Sequence, residues 1–230
     1  MSGRPERGDR FGASLALHTN LAGPINGGLA IGVPGEDVGR VRDAGGVSLA
    51  YIEGPLDQLS ARVNLVGTRG ISQNSARVPG QAESGDRFGA AVVATGHDCV
   101  PDEGFDPMIG GFFAIGSPGE DAGGVQDAGI VTLYDYNGDF DGLCASGTTG
   151  QERLGSGRSE NGDQFGAGLA SKLDGDLAIA VPGEDLSSVT DAGRVVYASF
   201  PNESTLKFRA SETAPIGPQT GLRYATLWGR

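Results

Sequence analysis

The sequence contains few of the residues that carry out most catalysis and metal binding. Its 230 residues include two histidines, two cysteines and one tryptophan, and they contain no G-x-S-x-G, H-E-x-x-H, Walker or C-x-x-C motif. Such motifs position nucleophiles, zinc ligands, phosphates and redox-active cysteines. We therefore predict that the chain is not an enzyme, although paired carboxylates on so acidic a chain leave glycoside hydrolysis open.

Long apolar segments and excess positive charge are also missing. No run of 18 apolar residues occurs, which argues against a membrane-spanning helix. Charged residues occupy five of the first ten positions, where a secretory leader would need an apolar segment. The formal net charge of −12 disfavours nucleic acids and anionic membranes as partners, because phosphate contacts require clustered Lys and Arg.

Helical periodicity is absent as well. Apolar residues do not recur at helical spacing, and 41 glycines among 230 residues would interrupt most helices. The glycines fall at fixed offsets instead, which indicates turns rather than disorder. These features predict an all-β chain.

One pattern occurs three times. It consists of F-G-A, a loop of variable length, an apolar run ending in P-G-E-D, five further residues, then D-A-G and a second apolar run. The copies begin at Phe11, Phe88 and Phe165. Short runs rich in β-branched and aromatic residues predict strands. The predicted strands are Leu29–Val33, Phe112–Ser117 and Leu177–Val181 before the P-G-E-D turn, Val47–Ile52, Ile130–Tyr136 and Val195–Phe200 after D-A-G, and Arg62–Val66 and Thr205–Arg209 before the next copy.

With a further strand opened by F-G-A, each copy supplies four antiparallel strands, which is typical of a β-propeller blade. The repeated pattern resembles the FG-GAP repeat, the blade unit of the integrin α-subunit head and of many bacterial secreted proteins. Its first half is matched by Gly8–Ala13, Gly85–Ala90 and Gly162–Ala167, and its second half by Gly32–Gly35 and Gly116–Gly119. The resemblance covers nearly the whole chain. It implies a partial propeller with repeats at about 8–84, 85–161 and 162–220, and the start of a fourth at about 221–230.

The resemblance also implies a function. We expect a non-catalytic extracellular scaffold that presents variable loops to a protein or glycan ligand; the alternative is an accessory or catalytic propeller domain of a secreted hydrolase. Because propellers close with about four to eight blades, we expect missing blades, either in cis in a longer protein or in trans from a second copy. A truncated segment without a stable product is the remaining alternative. The extracellular location follows from the family alone.

In the resembled family, the loop after F-G-A often holds calcium on the pattern D-x-D/N-x-D-G-x-x-D, since calcium takes several oxygen ligands. Asp98, Asp102 and Asp106 match the first, fifth and ninth positions, but Val100 occupies the third and Glu103 replaces the glycine. The sequence therefore offers an incomplete calcium loop, with a solvated acidic loop as the alternative. No other cofactor is predicted.

Two loops of the second repeat carry the cysteines. Alignment of the copies places Cys99 between the first and second strands and Cys144 between the third and fourth. In an up-and-down sheet these two turns lie at one edge, so we expect a disulfide, which fits an oxidising compartment. Two free thiols in surface loops are the alternative.

The most regular polar feature is the set of acids in the P-G-E-D and D-A-G motifs. These acids are Glu36, Asp37 and Asp43 in the first copy, Glu120, Asp121 and Asp127 in the second, and Glu184, Asp185 and Asp191 in the third. Their repetition predicts a structural role, in which Asp accepts backbone N–H groups and Gly supplies left-handed backbone. The alternative is a ring of carboxylates that binds cations or basic ligands. In either case, we expect these acids to neighbour Asp9, Asp86 and Asp163 on one face.

Overall fold

The computed structural model describes residues 4–19, 25–53, 64–95, 112–135, 147–171, 176–199 and 209–213. Their regular structure is entirely β, and no helix occurs within these ranges, which confirms the all-β prediction. The strands are β1 Ser14–Thr19, β2 Ile25–Val33, β3 Gly46–Glu53, β4 Asn64–Ile71, β5 Ala91–Thr95, β6 Phe112–Ser117, β7 Ile130–Asp135, β8 Gly147–Thr149, β9 Gly168–Ser171, β10 Leu177–Val181, β11 Arg194–Ser199 and β12 Arg209–Thr213.

Each repeat forms one four-stranded antiparallel sheet. The strand orders are β1-β2-β3-β4, β5-β6-β7-β8 and β9-β10-β11-β12, and we call these sheets 1, 2 and 3. Every strand pairs with its neighbour in sequence, as expected where short connections join antiparallel strands. The predicted four antiparallel strands per repeat are therefore present.

The fourth strands lie further along the chain than predicted. β4 and β12 replace the predicted Arg62–Val66 and Thr205–Arg209, whereas β6 and β10 have the predicted bounds. The reason is register, because β4 pairs with β3 through partners such as Val47 and Ile71, next to the D-A-G turn. Pairing between strands, rather than local composition, sets where these strands end.

Sheet 2 is buried on both faces. Phe113 and Ile115 belong to the apolar layer shared with sheet 1, whereas Ala114 and Leu133 belong to the layer shared with sheet 3. Successive side chains of a strand point to opposite faces, so a sheet between two others must be apolar on both. The first strands, β1, β5 and β9, also contact one another in that order. The three sheets therefore stack in chain order.

The F-G dipeptide of each later repeat docks on the D-A-G turn of the repeat before it. Phe88 N–H donates to the carbonyl oxygen of Ala44 at 2.9 Å, and the Phe88 side chain is fully buried. Gly45 forms an isolated parallel bridge with Phe88. A Cβ on Gly45 would lie 2.3 Å from the Phe88 carbonyl oxygen, so this close approach requires glycine. These joints place the acidic turns described next at the borders between sheets.

Candidate functional site

Each P-G-E-D turn is tied to the D-A-G turn that follows it. Asp37 Oδ1 accepts the backbone N–H of Asp43 at 2.9 Å, and the Glu36 carbonyl oxygen accepts the N–H of Gly45 at 2.9 Å. The same carboxylate bond recurs between Asp121 and Asp127 at 2.9 Å and between Asp185 and Asp191 at 2.8 Å. The aspartate of P-G-E-D therefore holds the following turn in place.

The aspartate of D-A-G has left-handed backbone geometry. Asp43, Asp127 and Asp191 have φ values of 49°, 49° and 50°, in a region that Asp tolerates better than most residues with a side chain. The glycine two residues later has positive φ as well, at 85° for Gly45. The sequence pattern predicts left-handed backbone at the glycine alone, and this conformation of the aspartate was not predicted.

A further repeated acid closes the turn before each F-G. Asp86 Oδ2 accepts the N–H of Glu83 at 2.5 Å, and its backbone carbonyl accepts the N–H of Gly119 at 3.1 Å. The equivalent carboxylate bonds join Asp9 to Glu6 and Asp163 to Glu160, both at 2.6 Å. The spacing E-x-G-D in all three copies is the signal that could have revealed this turn. Through its bond with Gly119, Asp86 lies beside the P-G-E-D turn of its own repeat, as expected from the sequence.

Two buried glutamines connect neighbouring sheets, and the sequence motifs did not predict them. Gln73 and Gln151, 1% and 0% exposed, each follow the fourth strand of a sheet by two residues. Gln73 Nε2 donates to Glu120 Oε2 at 2.5 Å, and Gln151 Nε2 donates to Glu184 Oε2. In repeats 2 and 3, the glutamate of P-G-E-D is therefore a residue of the joint between sheets.

Burial shifts the titration of the carboxyl groups at these joints. It raises the pKa of Asp86 to about 7 and that of Asp163 to about 6, while the backbone N–H donated to each carboxylate acts in the opposite direction. Burial also raises the pKa of Glu120 and Glu184, and the glutamine amide opposes this shift in both. Two carboxyl groups with raised pKa therefore lie close together at each joint.

The third repeat offsets this charge with a cation. Arg194 Nη1 lies 3.0 Å from Glu184 Oε1, and the guanidinium also donates to the Ser156 carbonyl oxygen. The residues that follow D-A-G in the other repeats are Gly46 and Ile130. The joint between sheets 2 and 3 therefore contains an ion pair whose arginine has no counterpart at that position in the other repeats.

In the first repeat, the equivalent acid borders an open cleft. The cleft has a volume of about 350 Å³, and Glu36, Gly46, Ser72 and Ser75 are among its lining residues. Burial raises the pKa of Glu36, and the negative charge of Asp9 raises it further. Glycines therefore line the cleft together with a carboxyl group that, among the described residues, accepts no glutamine amide of the kind found at the other two joints.

Several predicted sites fall on other parts of the chain. The calcium loop of Asp98, Asp102 and Asp106 and the pair Cys99 and Cys144 lie outside the described residues. Among the residues that are described, no group of three or more His, Cys, Asp and Glu side chains is arranged to hold a metal ion. No helix in those same ranges is long and apolar enough to cross a membrane.

Comparison with known proteins does not place the chain in a family. No family model matches it, and no match was found among curated proteins. The FG-GAP resemblance is therefore carried by the repeated motifs.

Proposed function

We propose that the three sheets are consecutive blades of a β-propeller and that the chain is a non-catalytic extracellular scaffold of the FG-GAP type. The observation that carries this proposal is the adjacency of the first strands β1, β5 and β9. Propeller blades are four-stranded sheets arranged around a central axis, so one strand of each blade must approach the same strand of the next. The repeated joint between F-G and D-A-G supports the same arrangement.

The connection between the first and second strands is the proposed recognition element. It joins Thr19 to Ile25 in sheet 1, Thr95 to Phe112 in sheet 2 and Ser171 to Leu177 in sheet 3. It therefore has five residues in sheets 1 and 3 but sixteen in sheet 2. Variable loops on a rigid framework commonly carry binding functions. The net charge of −12 disfavours nucleic acid, and a protein or glycan ligand is proposed instead.

A loop exchange tests this proposal. Residues 96–111 are replaced by residues 20–24, which make the equivalent connection in sheet 1, and binding of the labelled chain to a glycan array and to a panel of extracellular proteins is measured. We expect binding to be lost while the melting temperature matches that of Cys99→Ser, because the exchange also removes Cys99. Exchange of residues 172–175 for residues 20–24 is the matched control, and it keeps Asp176, whose carboxylate accepts from the Tyr197 hydroxyl. Unchanged binding by both variants would contradict a role for the long loop.

A second candidate, a propeller domain of a secreted hydrolase, is favoured by one observation. Asp86 and Glu120 are neighbouring carboxyl groups, each with a raised pKa, and such pairs are common in active sites. Asp86 is 1% exposed, however, and its position at a joint between sheets suits packing better than substrate access. Turnover of glycosides or esters that is lost in Glu120→Gln would support the hydrolase, and the absence of turnover would favour the scaffold.

A further inference from the structure

Sheet 1 has an apolar face that no other described sheet covers. Phe11, Leu15 and Leu17 are 63%, 63% and 52% exposed. Leu15 and Leu17 pair across β1 and β2 with Ile31 and Leu29, and directly paired residues share one face of a sheet. We call these five residues the open face of sheet 1. Among the described residues, Phe11, Leu15 and Leu17 are the large apolar side chains that are exposed to solvent.

The equivalent residues of sheets 2 and 3 are buried. Phe88, Phe113 and Ile115 replace Phe11, Leu29 and Ile31 in sheet 2, and all three are 0% exposed in the layer shared with sheet 1. Phe165, Leu177 and Ile179 occupy these positions in sheet 3, are also 0% exposed, and lie in the layer shared with sheet 2. The open face therefore keeps the apolar chemistry of an interface that is formed twice elsewhere in the molecule.

The backbone hydrogen bonds of the three F-G phenylalanines also differ between sheet 1 and the other two sheets. Phe88 N–H donates to Ala44 and Phe165 N–H donates to Ala128, each at 2.9 Å. In the part of the chain that the structure describes, no backbone carbonyl accepts from Phe11 N–H. A D-A-G turn on an added sheet would supply this acceptor.

The cleft beside Glu36 indicates a second contact that an added sheet should make, namely a glutamine side chain that donates to Glu36. At the other joints, the equivalent acids Glu120 and Glu184 accept an amide N–H from Gln73 and Gln151 of the preceding sheet. Glu36 instead borders a cleft of about 350 Å³, and burial raises its pKa. The cleft therefore lies where a glutamine from a preceding sheet would enter.

We propose that the open face of sheet 1 binds a further four-stranded sheet of the same repeat type, contributed by a repeat that is not part of these 230 residues. Its D-A-G turn accepts from Phe11 N–H, and a glutamine two residues after its fourth strand enters the cleft and donates to Glu36. This inference rests on the proposed stacking of blades and names the partner that the stack requires.

A second copy of this chain fits the face less well. The end of sheet 3 would be the surface it offers, and Thr213 pairs with Val195 as Ile71 pairs with Val47. By this register, the position of Gln73 corresponds to Pro215 in the sequence. Proline has no side-chain donor, so the Glu36 cleft would remain unmatched.

An extended chain tests the proposal. A duplicate of residues 85–161 is fused before Gly8, so that Asn161 is followed by Gly8 in place of Gly162, its usual neighbour. Amide exchange of residues 11–17 is then measured by mass spectrometry in the original and extended chains. We expect exchange to slow by about tenfold or more in the extended chain, because these amides become part of a buried joint. Unchanged exchange, with the duplicate folded as shown by a single protected population for residues 112–117, would overturn the proposal.

Two variants separate docking from general stabilisation. Leu15→Asp places a charge on the open face; we expect it to change the melting temperature of the original chain by no more than about 2 °C, because the site is exposed, and to abolish the added protection in the extended chain. Gln151→Ala in the duplicate alone should remove part of that protection. Full protection in both variants would contradict the named contacts.

Two further outcomes are distinguishable in the original chain. Protection of residues 11–17 that disappears on dilution, with the mass of a dimer by light scattering, would assign the open face to a second copy and overturn the proposed partner. Residues 88–94 should be protected in the original chain at every concentration. Rapid exchange there would contradict the stacking of blades itself, whereas protected 88–94 with unprotected 11–17 in the extended chain would contradict the docking proposal alone.

Discussion

The backbone N–H of Phe165 donates to the carbonyl oxygen of Ala128 at 2.9 Å, which joins sheet 3 to the D-A-G turn of sheet 2. The Phe165 ring is fully buried. Gly129 follows Ala128, and a Cβ there would lie 2.3 Å from the Phe165 carbonyl oxygen. The third residue of D-A-G is therefore glycine for two reasons, a positive φ and the approach of the next repeat.

A comparison of Gly129→Ala with Gly123→Ala should separate the cost of positive φ from the cost of the steric clash. We expect Gly129→Ala to lower the free energy of unfolding by about 3 kcal/mol or more, because backbone strain and a steric clash combine at one position. Gly123→Ala is the matched control, since Gly123 has a φ of 64° and a Cβ there would meet no atom within 4 Å; strain alone should cost about 1–2 kcal/mol there. Equal urea midpoints for the two variants would contradict a tight joint.

The aspartate of D-A-G should be replaceable by glycine but not by alanine. Asp127 has a φ of 49°, which alanine adopts at a cost of about 1–2 kcal/mol and glycine adopts without a steric penalty. We therefore expect Asp127→Ala to lower the thermal midpoint and Asp127→Gly to leave it near that of the parent. A large loss in Asp127→Gly would show that the carboxylate itself makes a necessary contact or binds a ligand.

Asp121 provides the control for this turn. Its carboxylate accepts the Asp127 N–H at 2.9 Å, so Asp121→Asn, which keeps an acceptor oxygen, should be milder than Asp121→Ala. The expected cost of Asp121→Ala is about 1 kcal/mol.

Loss of a joint glutamine should destabilise the protein most at high pH. Gln73 donates to Glu120 at 2.5 Å, and this bond opposes the rise in the Glu120 pKa that burial causes. Gln73→Ala leaves the ionised carboxylate without this donor, so we expect a cost of about 1–3 kcal/mol that is larger at pH 8 than at pH 5. Chemical denaturation at the two pH values measures it.

Gln151→Ala supplies the comparison, because Arg194 still lies 3.0 Å from Glu184. Its cost should therefore depend less on pH than that of Gln73→Ala. The same pH dependence in both variants would argue against a role for the arginine at this joint.

How far the sequence predicts this molecule depends on the range of the contact involved. Apolar runs next to fixed turns predicted β6 and β10 to the residue, because burial and local turn chemistry act within each repeat. The joint between Gln73 and Glu120 was missed, since it forms only when one sheet stacks on the next. The left-handed backbone of Asp127 was missed because the motif also contains a glycine two residues later, and composition alone assigns positive φ to the glycine.

Stability should fall as the pH rises from about 4 to about 7. The pKa of Asp86 is raised to about 7, mainly by burial, against about 3.9 for an unfolded aspartate. The folded state therefore binds more protons than the unfolded state between these two pKa values, so the free energy of unfolding falls as the pH rises through this range. Above about pH 7, Asp86 is ionised in both states and contributes no further change. Each unit of difference in pKa corresponds to about 1.4 kcal/mol.

Asp86→Asn tests this assignment, because the amide oxygen can still accept the Glu83 N–H but no longer titrates. We expect the decline in melting temperature between pH 4 and pH 8 to become shallower in the variant. Asp163→Asn should also make the decline in melting temperature shallower, but over a narrower pH range that ends near pH 6, because the pKa of Asp163 is raised to about 6. Parallel curves for the parent and Asp86→Asn would contradict the raised pKa.

The predicted disulfide between Cys99 and Cys144 has a direct chemical test. A bridge of this span would stabilise the chain by about 4 kcal/mol through the lost entropy of the unfolded state. We expect no thiol labelling of the native, unreduced protein and labelling of both cysteines after reduction and unfolding. Cys99→Ser should then expose Cys144 to labelling without reduction. Two reactive thiols in the native parent would remove the disulfide and, with it, the support that it lends to an oxidising compartment.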